Sequence, residues 1–461
     1  VVPPLGPPNV PGLVERYAPV VPLLEHAPAS FDEYVRLGGG RGLERALASP
    51  PEAVIEEVAR SGLRGRGGAG FPTGEKWRNV RRSGTGSRYL VCNAAEGEPA
   101  TFKDRMLLRT NPYQVLEGAA IAAHAVGAEA AFIGVKEAFE PEIEALGGAL
   151  QEMGASGALG PVSISVVLGP DHYLYGEETG LLEVIEGKDP LPRTARPFMF
   201  GLNGTPAAEN PTAVNNVETL ANVPWIIAEG AEWLRASGTS GSPGTMCMTV
   251  TGDVRREGVF EVPMGTPLRE LLYEAAGGPF EGRDLKVVFP GASNTVITPA
   301  QFDAPLDFDS LKAVGSGLGA AGFAVYDDST CIVEVALLFN RFLFVESCGQ
   351  CPPCKFGSGE ITAYLERFEA GDGELGHLDI MLSRAKGVTD GQKCALPTGT
   401  SLLAQSLLLV FGEEFRDHVL TTCPRHRDLQ LPKIMDFDAD SARFTYDESY
   451  ARKLPNWTYA A

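Results

Sequence analysis

Apolar positions in the first half of the chain follow two alternating periods. The stretch 52-EAVIEEVARSGLRG-65 has helical spacing and runs straight into a glycine-rich segment. Short apolar runs at 88-RYLVCNA-94, 131-AFIGV-135 and 163-SISVVLG-169 read as buried strands. Between them, 117-EGAAIAAHAVGA-128 and 136-KEAFEPEIEALGGALQEM-153 read as helices. Strand alternating with helix predicts an α/β layer with a largely parallel sheet over roughly residues 50–235. The stretch 211-PTAVNNVETL-220 reads as a loop.

A Gly/Ser-rich linker, 237-SGTSGSPG-244, separates this layer from a second pattern. There, 247-CMTVTGDVRREGVFEVP-263 predicts two strands around a turn, 267-PLRELLYEAAG-277 a short helix, and 285-LKVVFPGA-292 a further strand. That order describes a small α+β domain resembling a β-grasp. From 330 to about 420 the periodicity is helical, at 331–346, 358–371, 376–387 and 401–419. The ends differ from both: 1-VVPPLGPPNVPG-12 reads as an extended arm, and the proline-interrupted segment after 424 as a tail draped over a surface.

Composition narrows the class. The 461 residues exceed one ordinary core, and 44% hydrophobic with 21% charged residues is a globular balance. A net charge of −20, from 39 basic and 59 acidic residues, argues against nucleic acid and anionic membrane surfaces. No run reaches the roughly 18 apolar residues of a membrane span. Glu334, Asn340 and Arg341 interrupt the nearest approach, 332-IVEVALLFNRFLFV-345.

The eight cysteines matter by spacing rather than number. Cys92, Cys247 and Cys331 are scattered. Cys348, Cys351 and Cys354 stand at C-x2-C-x2-C spacing in 346-ESCGQCPPCKFG-357, and Cys394 follows in 392-QKCALPTG-399. Three thiolates at the start of a helix plus a remote fourth suit the corners of a 4Fe-4S cube better than two zinc knuckles, with zinc as the alternative. Cys423 is a second candidate for the fourth position and otherwise a plain thiol. Pro352 and Pro353 delay the helix that follows.

The glycine-rich segment 64-RGRGGAGFPTGEKW-77 contains a literal G-x-G-x-x-G at Gly65, Gly67 and Gly70. The dinucleotide fingerprint requires a strand before it, and here a helix precedes. What remains is a loop whose backbone N–H groups can approach an anion, with Lys76 beyond it and Arg64 and Arg66 adding positive potential. Beyond the predicted strand ends, where ligands of α/β sheets bind, lie Asn93, Glu96 and Glu98, then 173-YLYGEETG-180 with Glu177 and Glu178, then Asn215 and Asn216. Carboxylates there can accept from ribose or ribityl hydroxyls, and amides can meet the edge of a heterocycle. A helix N-cap for Glu177 and turn roles for the asparagines are the alternatives.

Taken together, GRGGAGFPTG at 65–74, CNAAEGEP at 92–99, YGEET at 175–179, NNVETLA at 215–221 and ESCGQCPPC at 346–354 resemble one family. It is the NADH-binding flavoprotein subunit of respiratory complex I, with the related diaphorase subunits of hydrogenases and β subunits of NAD-dependent formate dehydrogenases. The resemblance spans about residues 40–420. It implies an arm (1–40), a Rossmann-like FMN- and NADH-binding α/β domain with a non-standard glycine loop (41–236), a soluble-ligand-binding β-grasp-like domain (245–328), a helical 4Fe-4S domain (330–420) and an extended tail (421–461).

The same resemblance implies an NADH dehydrogenase of diaphorase type. Gly65, Gly67, Gly68, Phe71, Lys76, Asn93, Glu96, Glu98, Tyr173, Gly176, Glu177, Glu178, Asn215 and Asn216 would contact FMN or NAD(H). Of these, Phe71, Lys76, Glu98 and Glu178 would face the nicotinamide nucleotide, Glu98 and Glu178 in catalytic roles. Cys348, Cys351, Cys354 and Cys394 would hold the cluster. It further implies a cytoplasmic complex component partnered by a thioredoxin-like 2Fe-2S subunit and a catalytic or ferredoxin-like iron–sulfur subunit. Three departures touch the flavin and nucleotide contacts. Ala95 stands where a carboxylate is usual, 198-FMFGLNGTPAAEN-210 is about three residues longer than usual, and polar residues around Asn79 replace a usual aromatic. A flavin and iron–sulfur protein served by another donor, and a non-catalytic assembly component, are the competing readings.

Overall fold

The computed structural model describes residues 23–24, 27–84, 86–419, 421, 423 and 425–460. Most of the arm expected at 1–40 lies outside them, and its described end is helical at Phe31–Arg36.

Four strands, β1 (Tyr89–Ala94), β2 (Ala130–Lys136), β3 (Ser163–Gly169) and β4 (Thr212–Asn216), form one sheet in the order β3-β2-β1-β4, every pair parallel. Parallel pairing needs a crossover between strands, and the helices Pro112–Val126 and Glu140–Ser156 supply two. β4 lies within the stretch that reads as a loop, because five residues ending in two asparagines carry no apolar period. Its pairing makes Asn93 and Asn216 cross-strand neighbours at the carboxyl edge.

The Pro112–Val126 helix is buried almost all round, which explains its small residues. It packs on the Val217–Glu229 helix so closely that a Cβ on Gly118 would lie 2.0 Å from the Leu220 carbonyl oxygen. Only glycine permits that approach.

A second sheet has the order β6-β5-β8-β7, from β5 (Thr245–Gly252), β6 (Gly258–Pro263), β7 (Leu285–Pro290) and β8 (Gly322–Asp327). β8, which the sequence pattern missed, runs parallel to β5 and antiparallel to β7 at the centre of the sheet. All six of its residues are buried, so it lacks the alternation that marks a half-exposed strand.

The helical region contains Ile332–Glu346, Pro352–Glu369, Leu375–Gly387, Leu396–Val410 and the short Gly412–Asp417. The second begins six residues earlier than the pattern predicts. Pro352 occupies its first position, where a missing N–H does no harm, and so starts the helix rather than delaying it. None of the described helices is long and apolar enough to cross a membrane.

The tail does more than drape. It forms a hairpin, β9 (Ile434–Asp438) with β10 (Arg443–Tyr446), and ties back to the first domain through Ala100 N–H donating to Pro432 O at 2.7 Å. Lys453, fully buried, donates to Glu346 Oε1 at 2.7 Å and to Asp171 O at 3.1 Å. Tyr450 Oη donates to the same Glu346 oxygen at 3.0 Å. Breaking a buried pair from one side strands the other charge, at about 3–5 kcal/mol. Lys453→Met is therefore expected to destabilise the protein by that amount in chemical denaturation, with Tyr459→Phe as an unaffected reference in the same tail.

Candidate functional site

Four segments converge at the carboxyl edge of the first sheet. The glycine loop is entered from the Pro51–Ser61 helix, without a feeding strand, and is closed on itself by Gly65 N–H donating to Phe71 O at 2.9 Å and Thr73 N–H to Leu63 O at 2.9 Å. Gly68 and Gly70 sit at φ 133° and 61°, in the left-handed region that favours glycine. The loop rests on the end of β4 and the start of the Val217–Glu229 helix: Arg66 N–H donates to Thr219 Oγ1 at 2.8 Å, and a Cβ on Gly67 would come within 3.1 Å of Asn216 Cβ.

The positive potential expected of Arg64 and Arg66 is spent elsewhere. Arg64 pairs with Asp309 at 2.8 Å and lies over the Phe308 ring, while Arg66 is fully buried and donates to Pro243 O at 2.8 Å. Arg64 locks the loop to the second domain and Arg66 locks it to the linker, leaving Lys76 as its outward cation. Lys76 Nζ donates to Glu178 Oε1 at 2.8 Å and to Val214 O at 2.9 Å. The adjacent Trp77 donates its indole N–H to Asn215 Oδ1 at 2.9 Å, which fixes that amide's orientation.

The end of β1 and the loop after β3 are joined by Asn93 Nδ2 donating to Gly176 O at 2.7 Å. A Cβ on Gly176 would lie 2.9 Å from Ala95 O, so the contact excludes a side chain. Glu177 is the N-cap of the Glu178–Ile185 helix, accepting at one oxygen from Thr179 N–H (2.9 Å), Gly180 N–H (2.8 Å) and the Thr179 hydroxyl (2.6 Å). Asn216 likewise caps the Val217–Glu229 helix and donates to Asp104 Oδ2 at 2.5 Å. The N-cap role weighed for Glu177 thus holds, whereas Asn215 and Asn216 end β4 rather than sit in a turn, and the caps place Glu177 and Asn216 at the edge.

Beneath them lies a charged centre that sequence reasoning missed. Lys103, fully buried, pairs with Asp104 and Glu218 at 2.8 Å each. Burial alone would lower its ammonium, but Asp104, Glu218 and Glu96 outweigh that and raise it. Glu96 accepts from the Asp104 and Arg105 N–H groups, and burial, then the Asp104 charge, pushes its carboxyl up. The visible signal was a Lys-Asp pair at a helix start, just beyond the CNAAEGEP stretch.

Glu98 faces the second domain. Its Oε1 accepts from Ala292 N–H (2.7 Å) and Ser293 Oγ (3.0 Å), and its Oε2 from Tyr173 Oη (2.5 Å). Burial raises its carboxyl against these hydrogen bonds. Tyr173 in turn donates its backbone N–H to Glu346 Oε2 at 3.0 Å, which connects this loop to the cysteine segment.

Cys348 and Cys351 occupy the turn after the Ile332–Glu346 helix, Cys354 the first turn of the next, and Cys394 the approach to Leu396–Val410. Burial pushes Cys354 up to about 12, with Cys394, Cys351 and Cys348 adding to it. Burial pushes Cys394 to about 12 as well, and the Glu177 carboxylate and the other thiols add to that. Thiols so placed stay protonated at neutral pH without a cation, whereas a metal centre lets them ionise together. The set fits a cluster, and the Glu177 carboxylate lies close enough to act on Cys394. Cys423 lies apart, hydrogen-bonded to the Arg425 N–H rather than grouped with these four.

The sequence matches three family models in chain order: the Nuo51 FMN-binding domain over residues 58–225, the SLBB domain over 248–290, and the NADH-ubiquinone oxidoreductase-F iron-sulfur binding region over 334–418. The second of the F subunits of NADH-quinone oxidoreductase from Rhizobium meliloti is 42% identical over 402 residues, covering 84% of this chain and 94% of that one. The chain belongs to the F-subunit family of NADH-quinone oxidoreductases. The F subunit of the Mycobacterium tuberculosis enzyme is 39% identical, covering 85% of this chain and 90% of that one. The HndC subunit of the NADP-reducing hydrogenase of Solidesulfovibrio fructosivorans is 37% identical, covering 91% and 86%. The crystal structure of an NAD+-reducing NiFe hydrogenase in the H2-reduced state superposes with a TM-score of 0.77 at 32% identity, covering 86% of this chain and 67% of that chain.

Within this F-subunit frame, two of the departures have local explanations. Ala95 is buried among Val91, Tyr175 and Leu181, a setting where a carboxylate would be desolvated. The 198–210 segment folds back on itself through Gly201 N–H to Glu209 O and Thr205 N–H to Ala208 O, beside Arg193, which pairs with Glu183 and Glu186. In cluster-loaded protein, Cys394→Ser is expected to abolish the broad iron–sulfur absorption, and Cys423→Ser to leave it intact; visible spectra of the two variants check the assignment.

Proposed function

We propose that this chain is the electron-entry component of an NADH-oxidising complex, holding FMN at the sheet edge and a 4Fe-4S cluster in the helical domain. Bound there, FMN would supply hydride acceptance from the nicotinamide and one-electron release toward the cluster. The observation that carries the reading is the convergence of the glycine loop, the loops after β1 and β3 and the end of β4 beside a four-thiol set, with Glu177 close enough to raise the Cys394 thiol.

The residues divide the work. Gly65, Gly67 and Gly68 keep the loop free of side chains against the edge. Asn93, Glu96, Gly176, Glu177, Asn215 and Asn216, held by the caps and the Lys103 centre, form the flavin side. Phe71, which is 43% exposed, offers a stacking face, and the half-exposed Lys76–Glu178 pair faces the nucleotide. Glu98 and Tyr173, bonded to each other and to the Ala292–Ser293 turn, hold the second domain against this site. Cys348, Cys351, Cys354 and Cys394 hold the cluster. The bounds 41–236, 245–328 and 330–420 for the three domains belong to this reading. So do a thioredoxin-like 2Fe-2S subunit and a catalytic or ferredoxin-like iron–sulfur subunit as partners, and a cytoplasmic location.

Adding NADH anaerobically to the flavin- and cluster-loaded protein is expected to bleach the flavin absorbance. An unchanged spectrum at millimolar NADH, with dithionite still bleaching it, overturns the assignment of NADH as donor. Glu178→Gln is expected to slow the bleaching at least tenfold while leaving flavin content unchanged.

A further inference from the structure

Outside the four-thiol set, a second group of metal-ligating side chains meets at the far end of the helical domain. The Cys331 and Cys423 sulfurs and a His418 ring nitrogen all lie within 4.8 Å of one another. The three come from separate places: the residue before the Ile332–Glu346 helix, the residue after the Gly412–Asp417 helix, and the start of the tail. Cys331 is fully buried and His418 nearly so, while Cys423 is half-buried.

The imidazole is already oriented as a ligand. His418 Nδ1 lies 2.7 Å from Glu414 O, a carbonyl that can only accept, so the ring proton belongs on Nδ1. The lone pair of Nε2 then points at Cys331 Sγ, 3.3 Å away. A ring nitrogen fixed by a carbonyl behind it is the usual support of a metal-bound histidine. A carboxylate stands by as well: Glu369 Oε1 is 3.9 Å from Cys331 Sγ, and Glu369 Oε2 is 3.4 Å from His426 Nδ1.

We propose that Cys331, His418 and Cys423 bind one zinc ion, with Glu369 or a water completing the tetrahedron. Two thiolates and one imidazole are a borderline-soft donor set that suits Zn2+, and they are too few to hold an iron–sulfur cube at four corners. Binding releases the two thiol protons, and the two thiolates then neutralise the dication. The ion staples the start of the tail to the two helices that flank the cluster domain. Next to it, Arg427 is clamped by Asp253 at 2.9 Å, and Glu334 accepts the Leu429 N–H at 2.7 Å. The tail thus leaves the zinc site already directed toward β9 and Lys453. This site is independent of the flavin and cluster assignments, and its failure leaves those untouched.

Metal analysis of the holoprotein tests it. The expected result is about one zinc per chain beside four irons. Cys331→Ser and Cys423→Ser are each expected to cut zinc at least tenfold while iron content and the iron–sulfur absorption stay unchanged. X-ray absorption at the zinc edge of the unaltered protein, which needs no variant to fold, is expected to show two sulfurs at about 2.3 Å and nitrogen or oxygen neighbours at about 2.0–2.1 Å. Three results overturn the proposal: zinc below a tenth of an equivalent in the unaltered protein, a 2 Da mass deficit marking a Cys331–Cys423 disulfide, or a zinc shell of four sulfurs.

Discussion

The Glu346 carboxylate is where three parts of the molecule are held at once. One oxygen accepts the Tyr173 N–H from the loop after β3, and the other accepts Tyr450 Oη and Lys453 Nζ from the tail. Glu346 itself ends the helix that leads into Cys348 two residues later. A buried carboxylate is tolerated only when its acceptor positions are filled, so the sheet edge, the cysteine turn and the tail must all be in place together. The position of the cysteine turn relative to the loop after β3 is thereby set by a polar junction.

The same logic recurs across the site. Glu177 and Asn216 satisfy helix N-termini and thereby stand at fixed positions along the sheet edge. Asn215 is pinned by Trp77, and Arg66 and Arg64 spend their charge on anchoring the glycine loop. Little of the polar equipment waits free for a ligand. Most of it is committed to protein partners, leaving backbone N–H groups, one exposed phenylalanine and the Lys76–Glu178 pair as the accessible chemistry. A site built so needs little rearrangement to receive a large flat ring.

How much of this the sequence discloses depends on the range of the interaction. β1, β2 and β3 are legible because short apolar runs are bounded by turn residues, and the motif set discloses the family. β4 and β8 are not, the first for its asparagines and the second because full burial erases alternation. The inward turn of Arg66 depends on Pro243, and the partners of Glu98 lie at Ala292 and Ser293, contacts that no local spacing encodes. Cys331 and His418 look isolated along the chain, and only the folding of the helices brings them beside Cys423.

The tail also has a bearing on the order in which the molecule is made. Chains emerge from the ribosome N-terminus first and their domains tend to fold in that order. Here Ala100 and Arg105, beside the first sheet, bond to Pro432 and Ile434, and the ammonium that balances Glu346 belongs to Lys453, far along the tail. The domain synthesised first therefore stays unfinished until the tail has been made. Between those two moments the helix that leads into the cysteine turn ends on a carboxylate still without the lysine and tyrosine that later fill it.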